Sequence, residues 1–168
     1  MAAAGVKVGV RNSQRSLRVG DAWVRRIVRG ACAAEGISKA EIGVLLAGDR
    51  GIARYNEAWL GHEGPTDVIS FVLERAGDGW PGADRLVGDI VVSVPQAVRV
   101  ARQVGWPARC ELAYYLVHGV LHLAGHDDRT PAERRAIRRR EGRVMTALGL
   151  PSPPLAPRPA ARQSRPVA

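Results

Sequence analysis

Lysine is nearly missing from this chain. Only Lys7 and Lys39 stand among 25 basic residues, so the net charge of +9 is carried almost wholly by arginine. Guanidinium forks match phosphate oxygens in a way that ammonium point charges do not. A nucleic-acid or ribosomal partner therefore fits the composition, but a genome biased toward Arg, Ala and Gly would leave the same mark. Cysteine is scarce too. Cys32 and Cys110 lie far apart and form no CxxC pattern, which excludes a disulfide framework or a thiolate zinc ribbon. Long hydrophobic runs are absent: no window reaches the roughly 18 continuous apolar residues of a membrane span. The opening MAAAGVKVGVRN lacks a basic segment leading into an apolar one. The expectation is a soluble, cytoplasmic protein with two reduced thiols.

What is present is an ordinary globular composition, 46% hydrophobic and 24% charged over 168 residues. That length builds one domain with a real core, and is short for two. VKVGV (6–10) alternates as a strand does. Trp23, Ile27, Val28 and Ala31 recur at helical spacing between Val19 and Glu35, before Gly36. EIGVLLAG (41–48) reads as a strand, and Asp49 is placed to cap a helix running to Gly61. DVISFVLE (67–74) and LVGDIVVSV (86–94) read as strands around a Gly/Pro-rich connection at 75–84, and Pro95 opens the next helix. Helices follow at about 108–124 and, from Thr130-Pro131-Ala132-Glu133, to about Leu148 before Gly149. The order β-α-β-α-β-β-α-α-α predicts a single α+β domain over 1–150, a mixed four-stranded sheet packed by helices. PSPPLAPRPAARQSRPVA (151–168) has no acid, and its proline and arginine content predicts a disordered tail. No internal repeat is present.

HGVLHLAGHDD (118–128) holds three of the four histidines. Residues four apart share a helix face about 6 Å apart, so His118 and His122 can address one ion. Gly125 can take the left-handed conformation that ends the helix and swings the chain back. His126, Asp127 or Asp128 then returns toward the same place. Two helical histidines, a glycine turn and a third ligand six residues beyond the second is metzincin-like spacing, and imidazole with carboxylate favours zinc. HExxH peptidases carry a glutamate after the first histidine as general base. Here that residue is Gly119, so a zinc peptidase lacks its base.

These residues resemble the YbeY family, bacterial endoribonucleases of ribosomal RNA maturation, whose hallmark is similar to HGxLHLxGYDH. Asn56 with PTDVISF (65–71) resembles the family's N…PTDVLSF, and GDI (88–90) recurs. The resemblance spans about Val6 to Leu150. It implies an α+β metal-hydrolase fold, one Zn2+ ion and single-strand-specific RNA phosphodiester hydrolysis. It also implies partnership with ribosomal RNA and the small ribosomal subunit, in 3′-end maturation and ribosome quality control.

This chain also departs from the family pattern. The position of the family's third histidine ligand is Asp128, while His126 falls on the tyrosine site. The expected metal ligands are thus His118, His122 and Asp128, with His126 as the alternative third. Two histidines with an aspartate make the ion a weaker Lewis acid than three histidines would. The family arginine six residues before the threonine of PTDVLSF is Leu60 here, with His62 the nearest basic side chain, so the catalytic residue is unassigned. The proline after SF is Val72. Thr66, Asp67 and Ser70 are candidates to shape the site from the strand beside it. Arg134, Arg135 and Arg138 of the last helix are candidate RNA contacts, although such a face also serves simply as a solvated surface. Set beside an endoribonuclease are an RNA-binding ribosome assembly factor with little cleavage and, less well matched, a zinc peptidase.

Overall fold

The computed structural model describes residues 5–60, 67–74 and 85–155, with backbone alone at 59 and 60. Among the described residues, nine elements follow one another in the expected order. They are β1 (Gly5–Asn12), α1 (Asp21–Ala34), β2 (Lys39–Ala47), α2 (Asp49–Leu60), β3 (Val68–Glu74), β4 (Leu86–Ser93), α3 (Val94–Val104), α4 (Ala108–Leu123) and α5 (Pro131–Ala147). The sheet order is β1-β2-β4-β3: β1, β2 and β4 run parallel, and β3 is antiparallel to β4 at the edge. The mixed α+β architecture is as the sequence predicts. The connection at 75–84, His62, Thr66 and the tail from 156 lie outside the described residues.

Alternation along the strands divides the sheet into two unequal faces. Val6, Val8, Ile42, Val44, Leu46, Leu86, Ile90 and Val92 point to one side and join Val24, Ile27, Val28, Leu112, Leu116 and Val120 in the main core beneath α1 and α4. The opposite face is covered by α2, where Ile52 packs on Ala47, Ile69 and Val91. On that second side a groove of about 310 Å³ runs between Arg11, Tyr55, Phe71 and Asp89. The sheet separates this groove from α4.

Helix α4 is buried nearly all round, because the sheet, α1, α3 and α5 enclose it. Its apolar residues therefore lie on every side rather than along one stripe, with Glu111, His118 and His122 buried among them. Two glycines let it approach the sheet. A Cβ on Gly119 would lie 2.8 Å from Ile90 Cγ2, and one on Gly88 would lie 2.8 Å from Leu123 Cδ2 and 2.7 Å from the Phe71 carbonyl oxygen. Ser70 on β3 donates to the Gly119 carbonyl at 3.3 Å, pinning strand to helix beside His118.

Helix α5 begins as its sequence demands. Thr130 and Glu133 form a complete capping box with proline in the first turn. Ser93 caps α3, accepting from Gln96 N–H. Asp49 corrects an expectation: it lies in the first turn of α2, and its carboxylate is taken by Arg99 of α3. Two guanidinium contacts of 3.0 and 2.9 Å tie the helices together.

Candidate metal centre

His118 and His122 lie on successive turns of α4 with their Nε2 atoms 2.8 Å apart. Both are buried, 7% and 5% exposed, so the rings meet in a place largely shielded from solvent. The helix stops at Ala124, and Gly125 takes a φ of 102°, a conformation that side-chain-bearing residues avoid. The N–H of His126 then bonds back to the Leu121 carbonyl, and that of Gly125 to His122. This reversal returns Asp128 to the histidine pair, with Oδ2 3.9 Å from His118 Nε2 and 3.8 Å from His122 Nε2.

The three donors suit a small divalent ion. Bonds of about 2.0–2.1 Å in a tetrahedral set place donors roughly 3.3–3.4 Å apart, and the observed edges of 2.8, 3.8 and 3.9 Å straddle that value. Two imidazoles and a carboxylate are also a donor set zinc accepts, with a fourth position open. Burial pushes the Asp128 carboxyl above the usual carboxylate range, reinforced by Asp127 and Glu141 and opposed by His118 and Arg134. Desolvation of a carboxylate is unfavourable, and a cation bound beside it would relieve that cost.

His126 goes elsewhere. Its Nε2 meets Glu35 Oε2 at 2.8 Å, and Glu35, at the end of α1, also receives Arg140 of α5 at 3.3 Å. The ring on the family's tyrosine position thus braces the turn from behind while Asp128 faces the histidines.

The other candidates are placed as follows. Ser70 is buried against α4, and Asp67 accepts from Ser93 through its backbone carbonyl at 2.8 Å. Leu60 closes α2, with its side chain outside the described residues. Arg134 is exposed and donates to the carbonyls of Asp128 and Arg129 at 3.2 and 2.9 Å, which sets a cation beside the cluster and steadies the loop that carries Asp128. Arg135 and Arg138 are exposed on the outer face of α5, as are Arg139 and Arg143.

The sequence reading missed Glu141. It is buried on α5, with Oε2 accepting from the Tyr114 hydroxyl at 2.7 Å and Oε1 against His118 Nδ1. The signal was available. Glu141 occupies the helical stripe of Ile137, Val144 and Met145, where an acid has no packing reason to be. A second buried acid, Glu111, one turn earlier on α4 than Tyr114 and Tyr115, accepts from Trp106 Nε1 at 2.5 Å.

Comparison with known proteins agrees with this reading of the fold. The Moorella thermoacetica protein named endoribonuclease YbeY is 37% identical over 154 residues, covering 86% of this chain and 99% of that one. Its Roseiflexus counterpart of the same name is 40% identical over 114 residues, covering 66% and 71%. The solution structure of the Thermotoga maritima protein TM1509 superposes with a TM-score of 0.58 at 18% identity, covering 85% of this chain and 88% of that one, a likeness of fold. The endoribonuclease YbeY family pattern matches residues 10–149, from β1 through the end of α5 and across every element that positions His118, His122 and Asp128. The chain belongs to the endoribonuclease YbeY family.

Proposed function

We propose that this chain is a zinc-dependent endoribonuclease that cleaves single-stranded RNA, and that its substrate is ribosomal RNA of the small subunit in the cytoplasm. The observation that carries the reading is the convergence of His118, His122 and Asp128, three donors from a helix and the turn after it, in a chain of this family. When bound, a divalent ion supplies Lewis acidity toward a phosphate oxygen and lowers the pKa of water. The chain's own residues do the rest. His118 and His122 present ring nitrogens from a buried helix, and Asp128 contributes a carboxylate oxygen. Arg134, beside Asp128, offers guanidinium donors for a phosphate oxygen and stabilises charge that develops there. Arg135 and Arg138 extend the positive face along α5, where RNA backbone contacts would be strongly salt-dependent.

The peptidase alternative loses ground on a specific contact. The position of a peptidase's general base is Gly119, whose Cα faces Ile90 with no room for a side chain. Among the described residues, no helix is long and apolar enough to cross a membrane.

The test uses purified full-length chain and labelled single-stranded RNA, with and without chelator. Cleavage should stop on metal removal, return on adding zinc back, and be lost in His118→Ala. Cleavage that persists in His118→Ala overturns the mechanism. Tight RNA binding with no cleavage under any metal would instead favour an assembly factor, a reading that Leu60 at the family's arginine position supports.

A further inference from the structure

Glu141 occupies a costly position. It is 1% exposed on a helix whose other acid, Glu133, sits at the surface as a cap. A buried ion pair or charged hydrogen bond is weak as a stabiliser, since apolar residues of similar volume usually serve the core as well or better. The contacts made by Glu141 are more specific than core stability requires. Oε2 takes the Tyr114 hydroxyl at 2.7 Å, and Oε1 meets Nδ1 of His118. Tyr114 precedes His118 by one turn on α4, so one carboxylate from α5 spans two successive turns of the facing helix. Held at both oxygens, it cannot rotate away from the imidazole.

The chemistry of the contact is directional. An ionised carboxylate only accepts, so it selects the imidazole tautomer with its proton on Nδ1 and leaves the lone pair on Nε2. Nε2 is the atom that faces His122 and Asp128. The same contact fixes the ring plane, which packs at 45° to the Tyr114 ring and at 75° to that of His122.

We propose that Glu141, clamped by Tyr114, is a positioning residue that holds His118 in the tautomer and orientation required to bind a metal ion through Nε2. This rests on the metal-centre reading of His118, His122 and Asp128. Glu141 meets His118 at Nδ1, the ring nitrogen other than the one that faces His122 and Asp128. It acts by ordering one ligand in advance and by raising that ligand's basicity.

The experiment measures zinc binding to the metal-free full chain by competition with a chromophoric chelator. Wild type is compared with Glu141→Gln, Glu141→Ala and Tyr114→Phe. Alongside run the unfolding temperatures of the metal-free proteins and long-range nitrogen–proton NMR of the His118 ring. Zinc affinity should fall about tenfold in Glu141→Gln and toward a hundredfold in Glu141→Ala, with Tyr114→Phe losing less. The wild-type ring should carry its proton on Nδ1 before metal is added. A merely structural acid would lower the unfolding temperature and leave the affinity of the folded protein alone. Affinity within about twofold of wild type in a folded Glu141→Gln overturns the proposal, as does a wild-type His118 protonated on Nε2. Should Glu141→Ala not fold, the glutamine variant and the tautomer still decide. A wild type that binds no zinc overturns the metal centre itself, an outcome distinct from a zinc-binding wild type matched by its glutamine variant.

Discussion

Glu35 and His126 meet at 2.8 Å across 91 residues of chain, and this contact holds the His126 ring outside the group formed by His118, His122 and Asp128. His126 is the residue a chemist would first nominate as third ligand. Its ring is drawn instead to the end of α1, where Glu35 also holds Arg140. Asp128, two residues later, is left facing His118 and His122.

The two residues after Gly125 should therefore behave oppositely. Asp128→Ala is expected to lose most of its zinc by mass spectrometry while keeping its fold. His126→Ala should keep the metal and lose roughly 1.5–3 kcal/mol of stability, the usual value of a hydrogen bond to a charged group. Zinc lost from His126→Ala and retained in Asp128→Ala would show that the turn delivers the other side chain.

Gly119 should resist conversion into a peptidase-like glutamate. A Cβ there meets Ile90 Cγ2 at 2.8 Å, and a β-branched side chain has little rotamer freedom with which to yield. Overpacking of this kind costs about 1–3 kcal/mol, against about 1 kcal/mol gained by replacing glycine with alanine inside a helix. Gly119→Ala should thus be modestly destabilised in a denaturant titration. Gly119→Glu adds a buried unpaired charge and should lose roughly 3–5 kcal/mol. A Gly119→Glu protein as stable as wild type would mean that α4 does not press on β4 as described.

The Asp49–Arg99 pair gives an acid-dependent link between α2 and α3. The guanidinium hydrogen bonds hold the Asp49 carboxyl below its ordinary value, although partial burial opposes them. A depressed folded-state pKa means the contribution is present above the unfolded value and fades as pH falls through the folded one. Asp49→Asn should melt below wild type at pH 7, and the two curves should converge as pH drops beneath the normal carboxylate range. A gap unchanged down to pH 2 would place its origin elsewhere. Both groups are nearly half exposed, so the gap should also shrink in high salt.

Neither thiol should react in the folded protein. Burial pushes Cys32 up to about 12 and raises Cys110 as well, Glu111 adding to the latter. Since the thiolate is the reactive form, a disulfide reagent at pH 8 should titrate no thiol quickly in the native protein and both in denaturant. Rapid native labelling of Cys32 would show that α1 opens readily from the core.

Much of the architecture was legible because local rules agree with one another. Valine and isoleucine alternate in β1 and β2, Thr130-Pro131-Ala132-Glu133 spells a capping box, and glycines stand where φ turns positive at 36, 125 and 149. Asp49 was misread because a cap is judged from its own neighbours, whereas Arg99 arrives from 50 residues away. Glu141 was overlooked for a related reason. In a run of arginines an acid looks like a surface counter-charge even where it falls on the apolar stripe, and its partners emerge only when α5 lies against Tyr114 and His118.

The chain alone specified that two histidines share a helix face, that a glycine follows them, and that the residues just beyond can return toward the pair. Helix periodicity and glycine's freedom are local properties, readable without a partner. The choice between His126 and Asp128 was not local. Packing α1 and α5 around the turn brings Glu35, with Arg140 beside it, within reach of His126, while Asp128 faces His118 and His122.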